Sequence, residues 1–295
     1  MVHFDTTCFN INVSDTSLAI ILFGVLSALT WGAGDFSGGL ASRHTGPYRA
    51  VFYGEAFGLL LLLGAAAYFH GSAIGWETGL VSAAGGLCGA FGLLILYYAM
   101  GRGQMSIAAP VSALFTAALP VAAGAVLEGL PSPVKLSGFL VALVAIWMIA
   151  QEVGQKSQLV RLSDLRLPLL SGLCFGVYFI LIHQATRETL LWPMIISRSV
   201  GTFTVAVFLL VRRESWRVIR PAWFVIFLNG ALDIAGNACY ILAGQNGRLD
   251  VAAVLSSLYP GATVLLAWLI LKERMGTIQK LGILAALLAI VLMTL

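Results

Sequence analysis

The chain has 295 residues, of which 59% are hydrophobic and only 10% are charged, and its formal net charge is +4. Soluble domains usually carry about 25% charged residues, so this composition excludes a soluble globular protein and indicates an integral membrane protein. The Lys and Arg residues stand in short loops, without a basic groove or interleaved aromatic residues, which argues against nucleic-acid binding.

Ten apolar runs follow an N-terminal tail at 1–16, and each is long enough to be a membrane span, because a bilayer core needs about 20 apolar residues per helix. The predicted spans are 17–40, 48–70, 77–101, 105–127, 133–151, 167–186, 191–211, 221–244, 250–271 and 277–295. They use nearly the whole chain. The predicted fold class is therefore an all-α polytopic membrane protein with ten transmembrane helices and no sizeable soluble domain.

An internal repeat with a constant offset of 144 residues runs through these spans. Trp31-Gly32 falls on Phe175-Gly176, Ser27 falls on Ser171, and the segment from Ser106 falls on the segment from Asp250. The predicted units are 17–151 and 167–295, joined by a linker at 152–166. Each unit holds five spans. Five is odd, so the second unit enters the bilayer from the opposite face, as in many secondary transporters.

The distribution of Lys and Arg among the loops predicts the orientation of the chain. Numbered by the spans that they join, the odd loops hold 13 of the 17 basic residues: Arg43, Arg49, Arg102, Lys156, Arg161, Arg166, Arg212, Arg213, Arg217, Arg220, Lys272, Arg274 and Lys280. The even loops hold three, and Arg198 lies inside a span. Short basic loops stay cytoplasmic, so both termini are expected outside a plasma or inner membrane.

Ionisable residues inside spans are costly and tend to mark function. Asp233 lies near the middle of span eight, with Asn229 and Asn237 four residues to either side, so all three share one helical stripe. A charge at that depth needs a proton or a cation to compensate it. We expect Asp233 to be the central polar element of a transport path; the alternative is a buried structural network.

Asp35 at the end of span one and Glu55 in span two are second choices for a coupling role, near one membrane face. The alternative for both is contact with headgroup water. Arg198, at the start of span seven, is expected near the opposite face. This argues against an Asp35–Arg198 ion pair and gives Arg198 another partner, such as the solute or a carbonyl, or a snorkelling position.

Aromatic residues in the central spans are candidates for the wall of an apolar pocket, although any one of them could belong to the core instead. The candidates are Trp31, Tyr98, Phe115, Tyr178, Tyr240 and Tyr259. Ser112, in the repeated segment of span four, completes the candidate set. Pro110 and Pro120 in span four and Pro260 in span nine predict a symmetric pair of kinked helices beside the cavity; kinks that only improve packing are the alternative.

Three segments carry a resemblance to a known family: TWGAGDFSGGLASR from Thr30, SIAAPVSALFTAALPV from Ser106 with Glu128 following, and DVAAVLSSLYPGATVLLAWLILKER from Asp250. With them the chain resembles the EamA family of the drug/metabolite transporter superfamily. The resemblance implies ten helices around a cavity lined mainly by spans one, three, four, six, eight and nine. It also implies export of amino acids, metabolites or drugs, in several members driven by ion gradients, and cytoplasmic termini, which the basic loops contradict.

The expected function is secondary transport of a small organic solute by alternating access, with export as the expected direction and protons as the candidate coupling ion. No GxxxxGK[ST] segment indicates ATP drive, and no HExxH, HxxxH or GxSxG motif indicates an enzyme. We expect no cofactor and no metal, a monomer in the lipid bilayer, and a small-molecule solute as the partner. A receptor or assembly factor that binds without transport is the alternative.

Overall fold

The computed structural model describes residues 16–68, 74–99, 105–127, 129–149, 162–187, 189–272 and 276–294. The predicted tail, up to residue 15, and most of the predicted linker lie outside these residues. The described residues form eleven α-helices and no strand: α1 Thr16–Thr45, α2 Pro47–Tyr68, α3 Trp76–Ala99, α4 Met105–Leu127, α5 Pro133–Ile149, α6 Leu162–Ala185, α7 Leu191–Val211, α8 Ala222–Gln245, α9 Leu249–Ser256, α10 Tyr259–Leu271 and α11 Thr277–Thr294.

Seven helical stretches in the described part are long and apolar enough to cross a membrane, with α9 and α10 together forming one of them. Three shorter apolar stretches, Ser112–Leu127, Pro133–Ile149 and Thr277–Leu292, occupy the places of the other predicted spans. The chain is therefore a multi-pass membrane protein. The all-helical prediction is confirmed for the residues that the structure describes.

The first helix ends five residues later than predicted, and its end is set by backbone conformation rather than by hydropathy. Gly46 adopts φ +84°, which suits glycine in the left-handed region. Its N–H donates to the Ser42 carbonyl (2.9 Å), and Pro47 then starts α2 without needing an N–H partner. Apolarity stops near residue 40, but the polar residues that follow continue the helix into this turn.

Spans four and nine differ in the continuity of their helices, and the predicted kink of span four stays a prediction. Span nine is broken into α9 and α10, with Ser257 and Leu258 between them, whereas α4 is continuous. Pro260 in the first turn of α10 lacks the N–H that would continue the ladder from Ser256. Its repeat mate is Thr116, which has an N–H and whose hydroxyl donates to Ser112 O (2.8 Å).

The two halves pack as a pseudo-symmetric pair. Helix α1 packs on α8 as α3 packs on α6, and α2–α7 and α5–α11 are contacts between repeat mates. Two hydrogen bonds repeat the symmetry: Ser27 Oγ donates to Gly236 O (2.9 Å), and Ser171 Oγ donates to Gly92 O (2.8 Å). Donors and acceptors are each 144 residues apart, so the offset in the sequence is a symmetry of the contacts.

Odd and even loops meet at different ends of the bundle. At one end, Arg49 Nη1 donates to Arg217 O (2.9 Å), which joins the α1–α2 turn to the α7–α8 loop. We call this the basic end. At the other, Arg248 Nη2 donates to Gly129 O (2.6 Å) and Gln245 donates to Thr186 O, which joins the α4–α5, α6–α7 and α8–α9 loops. We call this the opposite end.

Candidate functional site

A cavity of about 840 Å³ lies between the two halves. Its wall includes residues of both halves, among them the repeat mates Trp31 and Phe175. Ser42, Arg43 and Pro47 also line it, and these residues flank the turn at the basic end. The cavity therefore extends from the middle of the bundle to the basic end.

A stack of three aromatic rings bounds the cavity on the side of the opposite end. The Trp31 and Phe179 rings are 5.3 Å apart and nearly parallel, and the Phe179 and Tyr240 rings are 4.5 Å apart. Tyr240 is fully buried, and its hydroxyl donates to Phe179 O (3.0 Å). Stacked rings of this kind form a rigid apolar barrier.

Close helix packing continues this closure beyond the stack. A Cβ added at Gly247 would lie 3.2 Å from Ile20 Cβ, and one added at Gly24 would lie 2.7 Å from Leu255 Cβ. By contrast, a Cβ added at Gly39, which lines the cavity near the basic end, would meet no atom within 4 Å. Among the described residues, the cavity is thus closed toward the opposite end and reaches the basic end.

Arg198 lies at the centre of a buried ionic cluster. Its guanidinium donates through Nη1 to Glu55 Oε1 and through Nη2 to Asp233 Oδ2, and all three side chains line the cavity. The side chains of Arg198 and Glu55 are only 10% and 14% exposed, while that of Asp233 is 33% exposed. Two carboxylates bind one guanidinium, so the cluster of two anions and one cation carries one net negative charge.

This cluster corrects the prediction that Arg198 lies near the membrane face opposite to Glu55. Glu55 is eight residues into α2, and Arg198 is seven residues into α7. At 1.5 Å per residue each lies about 10–12 Å from its own end of the bundle. In a core about 30 Å thick, residues that far from opposite faces are both close to the midplane. The partners of Arg198 are these side chains of the protein rather than a carbonyl or headgroup water.

The polar stripe of α8 faces protein and cavity, as its cost in lipid requires. Asn229 Nδ2 donates to Gly34 O of α1 (2.8 Å), and Asn237 Nδ2 donates to Asp233 O (2.8 Å) and Oδ2 (3.2 Å). The Tyr178 hydroxyl donates to Asn237 Oδ1. Asn237 therefore hydrogen-bonds to Asp233, whereas Asn229 connects α8 to α1.

Asp35 differs from the clustered carboxylates. It lies inside α1, ten residues before the helix ends, and its side chain is exposed to the cavity rather than at a membrane face. Within the described part of the chain, no hydrogen bond or ion pair reaches its carboxylate. Asp233 belongs to the adjacent part of α8, since a Cβ added at Gly34 would lie 3.7 Å from the Asp233 backbone nitrogen.

Eight of the twelve candidate residues line the cavity: Trp31, Asp35, Glu55, Tyr178, Arg198, Asp233, Asn237 and Tyr259. The other four do not. Tyr240 is the buried member of the aromatic stack, and Tyr98 is 43% exposed on the outside, beside Phe208 and Arg212. Ser112 is buried 3.1 Å from Ser171 Oγ, and Phe115 packs against Gly172, so both serve the α4–α6 contact.

Some residues that line the cavity were not among the candidates predicted from the sequence. Phe175 lines the cavity, and the 144-residue offset from Trp31 carried the signal that would have found it. Gln279 of α11 also lines it, and its Nε2 donates to Ile149 O (3.3 Å). No motif marks that glutamine, because its role depends on how α11 packs on α5.

A known protein family shares this two-part organisation. The model of the EamA-like transporter family matches residues 18–151 and again 165–295, which together cover most of the chain. The chain belongs to the EamA-like transporter family. The two EamA segments correspond to the two pseudo-symmetric halves, and the resemblance to the drug/metabolite transporter superfamily is confirmed.

A solved crystal structure of a protein has the same fold. It aligns with a TM-score of 0.76 over 93% of this chain and 96% of that chain, at 16% sequence identity. No curated protein sequence matches this chain. In this EamA-like protein, residues outside the six spans that the resemblance named also line the cavity, among them Glu55 of α2 and Arg198 of α7.

Proposed function

We propose that this protein is a secondary transporter that moves a small organic solute across the membrane by alternating access. The observation that carries the proposal is a cavity of about 840 Å³ among the described residues, which the aromatic stack closes toward the opposite end and which reaches the basic end. Its size suits a solute of metabolite or drug dimensions. A charged cluster near the midplane between two repeated halves is the usual site of solute or ion binding in such transporters.

The proposed direction is export. The basic end carries the loops rich in Lys and Arg, which favours a cytoplasmic position for that end. A cavity accessible there takes up its solute from the cytoplasm. Opening of the opposite end, with closure of the basic end, then releases the solute outside.

Orientation is tested by a reporter that is active only in the cytoplasm. Fused after Leu295 it should give no signal, because α11 starts at the basic end and ends at the opposite end. Fused within the α7–α8 loop, after Glu214, it should be active. An active reporter after Leu295 with a silent one after Glu214 would contradict the proposed orientation. The cavity would then open to the outside and take up its solute from there.

Asp233→Asn tests whether the ionic cluster couples to transport. The substitution keeps the shape of the side chain but removes its charge, so Arg198 keeps only Glu55 as an anionic partner. We expect solute flux in proteoliposomes to fall about tenfold or more, because a charge at this depth is part of the transport path. Flux should also lose the pH dependence of the wild type if a proton is the coupling ion.

Glu77→Gln is the matched control, since Glu77 is an exposed carboxylate in the first turn of α3. It should transport like the wild type. Unchanged rate and pH dependence in a normally inserted Asp233→Asn protein would make Asp233 a structural residue. If the wild-type protein binds a solute but does not move it across the membrane, the result favours a receptor over a transporter.

A further inference from the structure

We propose that the cavity recognises a cationic group of its solute, a protonated amine or a quaternary ammonium, and that Asp35 is the carboxylate that binds it. The inference rests on the proposed function, because it takes the cavity as the solute site. It names a solute class and a residue role.

The charge balance of the wall disfavours an anionic group. Five of the described residues that line the cavity are charged: Asp35, Arg43, Glu55, Arg198 and Asp233. Arg43 lies two helical turns from Asp35 toward the basic end, so Arg198 is the basic residue near the midplane. Both terminal nitrogens of Arg198 already bind carboxylates. A carboxylate or phosphate on the solute would have to displace one of them and would face the others.

Asp35 is the carboxylate that a solute can reach. Glu55 is largely buried against Arg198, and Asp233 is bound by Arg198 and Asn237. Asp35 is exposed to the cavity, and no described residue hydrogen-bonds to it or forms an ion pair with it. An unpaired carboxylate in the membrane interior is costly. A cation that enters the cavity removes that cost, and Asp233 next to Asp35 adds to the attraction.

Aromatic residues of the same cavity wall as Asp35 suit a cation. Trp31 is four residues before Asp35 on the same face of α1, and both line the cavity. Tyr178 and Tyr259 line it as well. Aromatic faces attract ammonium groups, most strongly when the cation is quaternary and leaves no N–H to satisfy. The same rings offer apolar surface to the rest of the solute.

Four probes of one shape separate charge from size. We would titrate the purified full-length protein with 2-phenylethylammonium, trimethyl(2-phenylethyl)ammonium, 2-phenylethanol and 3-phenylpropanoate, and follow binding by calorimetry. The two cations should bind at least about tenfold more tightly than the alcohol or the carboxylate, since a contact between opposite charges is stronger than one with a neutral group. Stronger binding of the carboxylate, or equal binding of all four, overturns the proposal.

Variants then assign the charge recognition to Asp35. Asp35→Asn should weaken the binding of both cations about tenfold or more while binding of the alcohol stays the same. Asp35→Glu, which keeps the charge, should retain most of the affinity for the cations. Glu77→Gln, on the outside of the bundle, should bind like the wild type. Cation binding by Asp35→Asn at wild-type affinity overturns the assignment.

Flux of the same four probes in proteoliposomes separates this inference from the proposed function. Binding of the cations that depends on Asp35, without movement of any probe, supports the cation site and contradicts transport of these solutes. Movement of the alcohol or the carboxylate in preference to the cations supports transport and overturns the cation site. Transport of the cations that Asp35→Asn abolishes supports both.

Discussion

Replacing Arg198 by glutamine should destabilise the folded protein by about 3–5 kcal/mol, because breaking a buried ion pair leaves charge without a partner. Glu55 and Asp233 approach each other through the guanidinium that both accept from. Without it, two carboxylates share a site that is largely shielded from water. The measurement is the midpoint of thermal unfolding of the purified protein, together with the amount of protein that inserts into the membrane.

The charge itself can be separated from the packing of the side chain. A triple variant, Arg198→Gln with Glu55→Gln and Asp233→Asn, removes all three charges and should recover much of the lost stability, since neutral groups need no counter-ion. Arg220→Gln is the matched control, because Arg220 is exposed in the α7–α8 loop. If the single and triple variants unfold at the same temperature, side-chain packing rather than charge balance holds this part of the bundle together.

Much of the fold follows from the sequence because it depends on two strong signals. Apolar length predicts helices, and the 144-residue offset predicts two similar halves, as Ser27 and Ser171 show by making equivalent hydrogen bonds. The ends of helices are weaker signals. Gly46 ends α1 through its backbone conformation, five residues beyond the apolar run, and Pro260 interrupts span nine while Thr116 at the equivalent place does not.

The charged residues of the candidate site were predictable, because a charged side chain inside a membrane has a high free-energy cost. Asp35, Glu55, Arg198 and Asp233 stand out because charge in a membrane needs a purpose, and all four line the cavity. The ion pairs among them were not predictable from the sequence. Glu55 and Arg198 lie on helices that start at opposite ends of the bundle, and their relative depth depends on how those helices sit in the structure. Aromatic residues carry no such mark: Tyr178 faces the cavity, and Tyr98 faces outward.

A disulfide across the opposite end should abolish transport, because alternating access requires that end to open after loading. Ile20 of α1 and Gly247 of the α8–α9 loop provide the pair, since a Cβ at Gly247 would lie 3.2 Å from Ile20 Cβ. Disulfides have Cβ–Cβ distances of about 3.5–4.5 Å, so a small relaxation allows the bond. The variant is Ile20→Cys with Gly247→Cys, in a background in which Cys8, Cys88, Cys174 and Cys239 are replaced by serine.

The oxidised double variant should lose flux in proteoliposomes by about tenfold or more, and a reductant should restore it, because the bond holds together the end that has to separate. The two single variants are the controls, and an oxidant should leave their flux unchanged. Solute should still bind to the oxidised protein, since the cavity stays accessible from the basic end past Ser42 and Pro47. Flux at the wild-type rate through fully cross-linked protein would mean that the contact between α1 and the α8–α9 loop stays closed throughout the cycle. The exit would then have to lie elsewhere.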